Sequence, residues 1–385
     1  MEIRYRPYLT GDEEQLAEVF NRCFSRAAGF KRTPQSILWR YLHRPQGSPE
    51  EVQIAEDTKK KKIVGVIFST IETYTFNNHL YRAGSINDVA VLPEYGKHGI
   101  ASRLLKRAIL FMESQQCEIA TLTAAAKGHA RNKMYLPAGW QNITSQHLWL
   151  QFTPLIGRYL PLFLPLLPAT LLTMWWYKKR MRQFFSSFET GDIKFSIHHP
   201  HTPSAISQST SRQLMRLYNR VSPRWIEGNL PITEPDWIHF RENPPTENLS
   251  PSHVVIRKGE HIIGFANFLR EWFVIDTIGM RIPMAIAHEW VLDPDAVSPS
   301  DIHNILTVLF MKMHQASLER KCAVIMFPST PRHKILINVL QRLFFVKSPA
   351  GVFMLNILSK NLSFGTFLTG KKPFSVKPGE FLLYP

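Results

Sequence analysis

One pattern occurs twice in this chain, displaced by about 200 residues, and no other feature narrows the fold so far. In the first copy IRYRPY reads as a strand, and Thr10 to Asp12 can cap a helix with Leu16, Val19 and Phe20 on one face. QIAED and KIVGVIFSTIETYTF read as strands separated by a turn holding Lys59 to Lys62, and LYRAGSINDVAVLP continues the antiparallel pattern to Pro93. A glycine-containing loop leads into a helix with the apolar stripe Ala101, Leu104, Leu105, Ala108, Ile109 and Met112, the spacing of a helix packed on a sheet. IATLTAA then reads as a buried strand. In the second copy a helix around Leu214 to Asn219 precedes VVIRKGEHIIGFANF, where Ile262, Ile263 and Gly264 match Ile63, Val64 and Gly65. AIAHEWVLDP matches SINDVAVLP, with Glu289 in the place of Asp88. A helix with Ile302, Ile305, Leu306, Leu309 and Met313 follows, and AVIMFPS matches IATLTAA. The expected class is α+β, with two domains of one fold, each a mixed, mostly antiparallel sheet flanked by helices. They are expected over residues 1–152 and 213–385, joined by residues 153–212.

A content of 44% hydrophobic and 20% charged residues supports a buried core and excludes wholesale disorder. Lys and Arg number 46 against 30 Asp and Glu, a formal charge of +16 that favours anionic partners: nucleotide cofactors, acidic lipid headgroups or nucleic acid. The basic residues are scattered or lie beside an apolar segment without a nucleic-acid motif, so no nucleic-acid partner is expected. Cys23, Cys117 and Cys322 are too few and too far apart for a disulfide framework, and a reducing cytoplasm is the expected location. No metal is expected: no His, Cys, Asp and Glu group has ligand spacing, and the tract of His198, His199 and His201 reads as solvated. The opening MEIRYRPYLTGDEEQ is charged and lacks an apolar core, so no signal peptide is expected.

Residues 154–176 read PLIGRYLPLFLPLLPATLLTMWW, followed by Lys178, Lys179, Arg180 and Arg182. Apolar length, terminal tryptophans and a basic flank suggest membrane contact, while Pro161, Pro165 and Pro168 argue against a spanning helix. Two readings stay open for residues 154–182: an interfacial element on an anionic membrane surface, at the inner face of a membrane, or a linker packed on its own protein.

The stretch from Val89 to Lys106, VAVLPEYGKHGIASRLLK, joins a strand to a helix through a loop with Gly96 and Gly99. Backbone N–H groups of Gly96, Lys97, His98, Gly99, Ile100 and Ala101 at a helix N-terminus suit a pyrophosphate, and Lys97, His98 and Arg103 add positive charge. A plain strand-to-helix turn is the competing reading.

Here the chain resembles the GCN5-related N-acetyltransferase (GNAT) superfamily. The family signature has Arg or Gln, two residues, Gly, one residue, then Gly or Ala; Gly99 and Ala101 match it, and Gly96 stands where Arg or Gln is usual. The preceding Val89 to Tyr95 is also typical, and Tyr135-Leu136-Pro137-Ala138-Gly139-Trp140 resembles the family's Tyr-x-Lys-x-Gly-Phe ending, with Pro137 in place of Lys. The doubled arrangement is similar to two-domain bacterial members. The resemblance implies acyl-CoA, by default acetyl-CoA, as co-substrate and a primary amine as acceptor. It implies a splayed strand whose Val89, Ala90 and Val91 backbone groups bind the pantetheine arm and polarise the thioester. Tyr135 matches the tyrosine that protonates the leaving thiolate, and Asn132, one turn earlier, is a cofactor contact or a helix cap. Asp88, just before the polarising amides, is the expected proton acceptor or counter-charge, ahead of Glu94.

The second copy reads LDPDAVSPSDIHNIL at the matching loop, with no glycine and with Asp293, Asp295 and Asp301. Carboxylates there repel a pyrophosphate, so this copy is expected to be degenerate and to complete the acceptor cleft, with Glu289 as a possible contributor. An N-acyltransferase is thus the leading expectation, and a catalytically inactive acyl-CoA-binding or membrane-associated scaffold is the alternative.

Overall fold

The computed structural model describes residues 2–24, 28–162, 192–226, 231–246, 249–331 and 333–368, together with Trp175 and Lys179. Its thirteen strands among the described residues are β1 (Ile3–Pro7), β2 (Ala28–Phe30), β3 (Val52–Asp57), β4 (Lys62–Phe76), β5 (His79–Val91), β6 (Ile119–Ala124), β7 (Gln141–Phe152), β8 (Ile193–His198), β9 (Ser252–Lys258), β10 (His261–Ile275), β11 (Met280–Leu292), β12 (Val324–Ser329) and β13 (Val346–Ile357). The helices that matter here are α1 (Glu13–Phe24), α2 (Ile100–Ser114), α3 (Gln208–Trp225), α4 (Ile302–Glu319) and α5 (Lys334–Arg342).

The longest strands explain the cores. From Ile63 to Thr70, β4 is buried without alternation, the mark of a strand covered on both faces. Asn77 and Asn78, both at positive φ, form the two-residue turn that returns the chain into β5, a conformation asparagine tolerates. The stripe of Leu104, Leu105, Ala108 and Met112 on α2 packs into the same core as Leu16 and Val19 of α1. In the second half α4 and α5 build the equivalent core with Leu306, Leu309, Leu336 and Val339.

All strands join one sheet, in the order β1-β3-β4-β5-β6-β13-β7-β12-β11-β10-β9-β8, with β2 paired to β10. The two halves exchange their last strands. β7 leaves β6 and pairs with β12 from Phe152↔Val324 to His147↔Ser329. β13 crosses the other way and pairs with β6 from Val352↔Ala124 to Ile357↔Ile119. The pseudo-two-fold between the halves is marked by matching helical turns, Pro34–Ile37 running into Leu38–Leu42 and Glu234–Trp237 into Ile238–Glu242. Across it Trp39 Nε1 donates to the His239 carbonyl at 3.2 Å, and His239 Nε2 donates to the Trp39 carbonyl at 2.8 Å.

The stretch expected as a linker, residues 153–212, differs from that expectation. β8 lies within it as the sheet edge beside β9, and α3 starts at Gln208, so the second half begins before residue 213. The histidine tract is tethered to the protein while part of it stays exposed: half-buried His199 contacts Glu319 at 2.7 Å, and exposed His201 contacts Ser250 Oγ at 3.2 Å. Pro154–Leu162 forms a 3-10 helix whose Ile156 packs with Phe30, Ile282, Met284 and Met326 on the sheet face. Apart from Trp175 and Lys179, the apolar run beyond Leu162 and its basic flank lie outside the described residues. No helix among the described residues is long and apolar enough to cross a membrane.

Candidate active site

The site forms where β5 and β6 part. Their parallel pairing runs only from Ala83↔Ile119 to Ile86↔Leu122. β5 stays paired to β4 as far as Val91↔Gly65, while β6 continues beside β13. A bulge at Phe68/Ser69 leaves Asn87 without an opposite residue and starts the divergence. Beyond it, backbone direction alternates. Leu92 N–H donates to the Val64 carbonyl at 2.9 Å, which turns Ala90 toward β4 as well. Val89 and Val91 therefore face the open side, and the Val91 carbonyl accepts there from Cys23 Sγ at 3.3 Å. Of the three expected contacts, Ala90 is the one whose amide is used inside the sheet.

The loop after β5 is anchored by Tyr95, which is buried and donates through its hydroxyl to Asp57 Oδ2 at 3.0 Å. Gly96 N–H donates to the Pro93 carbonyl at 3.0 Å, and Gly96 has φ −62°, extended backbone open to any residue. Its amide is thus engaged by the loop, which differs from the expected phosphate contact. Lys97 sits at φ 65° and Gly99 at φ 72°, so the left-handed turn falls on Lys97 and on Gly99, the N-cap of α2. That cap has no side chain, and none bonds the first-turn amides. A Cβ built on Gly99 meets nothing within 4 Å. The N–H groups at Gly99, Ile100 and Ala101 thus carry no side-chain cap at the positive end of a 15-residue helix, with Lys97, His98 and Arg103 exposed around it. Glu94 is taken up by an exposed ion pair with Arg22 at 2.9 Å.

Tyr135 ends the turn Arg131–Tyr135, and its ring meets Trp140 edge-on at 6.0 Å. It is 7% exposed, and among the described residues its hydroxyl makes no hydrogen bond. Burial, then the Asp88 charge, hold its phenol well above the usual range, so it is protonated and able to donate at neutral pH. Asn132 lies exposed on the same turn, with Oδ1 accepting from Arg131 at 3.1 Å, and caps no helix. Asp88 is half-buried on the splayed part of β5. Burial raises its carboxyl, opposed by the Arg40 charge and by Tyr41, whose hydroxyl donates to Asp88 Oδ2 at 2.7 Å. Tyr41 and Arg40 were not among the expected site residues. The available signal was positional: Tyr41 stands 200 residues before Arg241, as Asp88 stands 201 before Glu289.

The second half parts at the same place and fills the gap. β11 and β12 pair only to Ile286↔Met326. Trp290, at the position of Val89, packs there between Trp225, Phe310 and His333, with ring distances of 6.0, 5.9 and 5.1 Å. A cavity of about 60 Å³ remains beside it, too small for a pantetheine arm. Asp293 and Asp295 of the matching loop pair with Arg220 at 2.8 Å and Arg224 at 2.9 Å. Among the described residues no group of three His, Cys, Asp or Glu could hold a metal ion.

Residues 4–143 match the family described as Acetyltransferase (GNAT) domain. No curated protein sequence matches the chain. Among solved structures it resembles Saccharomyces cerevisiae N-myristoyltransferase with bound myristoyl-CoA, at TM-score 0.67 and 12% identity over 97% of this chain and 84% of that one. It also resembles a GCN5-related N-acetyltransferase from Anabaena variabilis, at TM-score 0.57 and 13% identity over 93% of this chain and 73% of that one. The splayed strand and the glycine-capped helix lie within the stretch that matches the GNAT acetyltransferase domain, residues 4–143, and the chain as a whole shares its α+β fold with N-myristoyltransferases.

Proposed function

We propose that this chain is an acyl-CoA-dependent N-acyltransferase whose reaction takes place in the first half. The observation that carries this is the conjunction of two openings, the β5/β6 splay and the uncapped N-terminus of α2, on one continuous path. Pyrophosphate rests on the Gly99, Ile100 and Ala101 amides, and the pantetheine arm follows Val89 and Val91 into the splay. An N–H there points at the thioester oxygen and stabilises the charge that develops on attack. Asp88 accepts the proton of the incoming ammonium, and Tyr135, kept protonated by its burial, gives its proton to the departing thiolate as the C–S bond breaks. The second half, with Trp290 in its splay, takes no CoA and supplies the far wall of the acceptor cleft.

Acetyl is the first acyl group to test, and the likeness to a protein with bound myristoyl-CoA makes a long chain the second. Calorimetric titration with acetyl-CoA and with myristoyl-CoA should give one molecule per chain for at least one of them. Free-thiol release against a panel of primary amines then follows, beside Tyr135→Phe and Asp88→Asn. No binding of either thioester by folded protein would sink the reading and favour a scaffold role.

A further inference from the structure

The two halves place a carboxylate at one equivalent point of the fold and give it different partners. Asp88 stands opposite Phe68 at the β4 bulge, and Glu289 stands at the matching bulge between Ala266 and Phe268 of β10. Each is met by the helical turn of its own half, from Tyr41 in one and Arg241 in the other. Arg241 forks onto both carboxylate oxygens of Glu289, through Nη2 to Oε1 and Nε to Oε2 at 3.2 Å. Asn267 Nδ2 donates to Oε2 as well, and the Glu289 N–H returns a bond to Asn267 Oδ1 at 2.9 Å. With side chains 7% and 8% exposed, this pair is closed to exchange with a substrate.

In the first half the donor is a neutral phenol. Tyr41 is 1% exposed and stacked on Phe68 at 4.3 Å, which fixes its hydroxyl on Asp88 Oδ2 at 2.7 Å. The charged and titratable groups that face Asp88 are Arg40 and Tyr41 from the helical turn and Tyr135 from the far side of the splay. A guanidinium at position 41 would hold the carboxylate ionised and weaken its affinity for a proton; a phenol orients it and leaves that affinity high.

We infer that Tyr41 is a positioning residue that aims Asp88 as the acceptor of the amine proton, while Arg241 at the equivalent position fixes Glu289 as a structural ion pair. The inference rests on the acyltransferase reading. In the step it serves, one proton passes from the ammonium to Asp88, and the freed nitrogen pair forms a C–N bond at the thioester carbon. The C–S bond breaks, sulfur takes the Tyr135 proton, and the surplus proton on nitrogen restores the phenol.

The test is carbon-13 NMR of the full chain labelled at aspartate carboxyl carbons, with Asp88 assigned through Asp88→Asn. In Tyr41→Phe the Asp88 carboxyl should bind its proton about tenfold more tightly, the loss expected for one hydrogen bond to a charged group. In Tyr41→Arg it should bind about tenfold or more less tightly. Uniform 3-fluorotyrosine labelling strengthens the donor without removing it, so it must move Asp88 in the direction of Tyr41→Arg even if Tyr41→Phe does not fold. A titration unmoved by fluorotyrosine or by a folded Tyr41→Phe overturns the positioning role. Acetyl-CoA and myristoyl-CoA titrated into the parent separate the two readings: absence of binding overturns the acyltransferase reading and the proton-accepting role with it, whatever Asp88 does.

Discussion

Replacing Gly99 by glutamate should remove acyl-CoA binding and leave the protein folded. Gly99 has φ 72°, and a Cβ there meets no atom within 4 Å, so the fold pays only the left-handed strain, about 1–2 kcal/mol. That is a minor fraction of the roughly 5–15 kcal/mol that holds a typical domain together. The new carboxylate stands at the mouth of the first-turn amides, within about 5 Å of a pyrophosphate carrying about two charges. Each charge pair at that distance costs about 0.8 kcal/mol with the dielectric of water and about 3 kcal/mol at an effective dielectric near 20. Even the lower figure gives about 1.6 kcal/mol, about a fifteenfold loss of affinity, before crowding is counted. Gly99→Gln carries the same strain and bulk without the charge and separates the two contributions. The assay is calorimetric titration with the tighter-binding thioester at about 0.05 M and 0.5 M salt, beside a thermal melt. The gap between the Glu and Gln variants should narrow at high salt as screening shortens the reach of the carboxylate. A Glu variant that melts normally and binds as the parent does would refute the placement of pyrophosphate at this helix end.

Three further outcomes follow from the packing. Residues 1–152 alone should not fold to a monomer, because β6 loses β13 and with it the buried Val352, Phe353, Met354 and Leu355, each worth about 1.5–3 kcal/mol; gel filtration and circular dichroism decide, and a cooperative monomeric melt would count against the exchange. Arg241→Met should cost about 3–5 kcal/mol at pH 7 by leaving Glu289 buried without its cation, and an unchanged urea midpoint would show the pair to be dispensable. Burial holds His253 at about 3 and His314 and His333 at about 4, so each is neutral in the fold and readily protonated when unfolded. Because these values are depressed on folding, the stability they confer is full above about pH 6.5 and is lost as pH falls toward 4, by about 3 kcal/mol for each. Melting temperature should drop steeply across that window, and a flat profile would refute the burial of these rings.

The repeat, the loop and the fold class were legible in the sequence because each is carried by local pattern. Runs without polar residues, such as Ile63 to Phe68, mark strands buried on both faces, and the four-and-three spacing on α2 marks its core stripe. The glycine at position 99 is readable for the same reason, since a left-handed N-cap asks for it locally.

What tertiary structure decided is everything that depends on which strands and turns meet. No local pattern in Gln141–Phe152 says that it pairs with β12 and β13 rather than with its own β6, because an amphipathic strand fits any edge of matching register. Only the sheet register turns Ala90 away from the open side and leaves Val89 and Val91 facing it. Only the fold brings Tyr41, 47 positions away in the chain, onto Asp88, and sets Arg241 on Glu289 at the equivalent point. The sequence thus determined the doubled pattern and the glycine-capped turn before α2, through backbone preferences and hydrophobic spacing. The partners of the two carboxylates, a phenol for Asp88 and a guanidinium for Glu289, were decided by long-range packing that no local preference encodes.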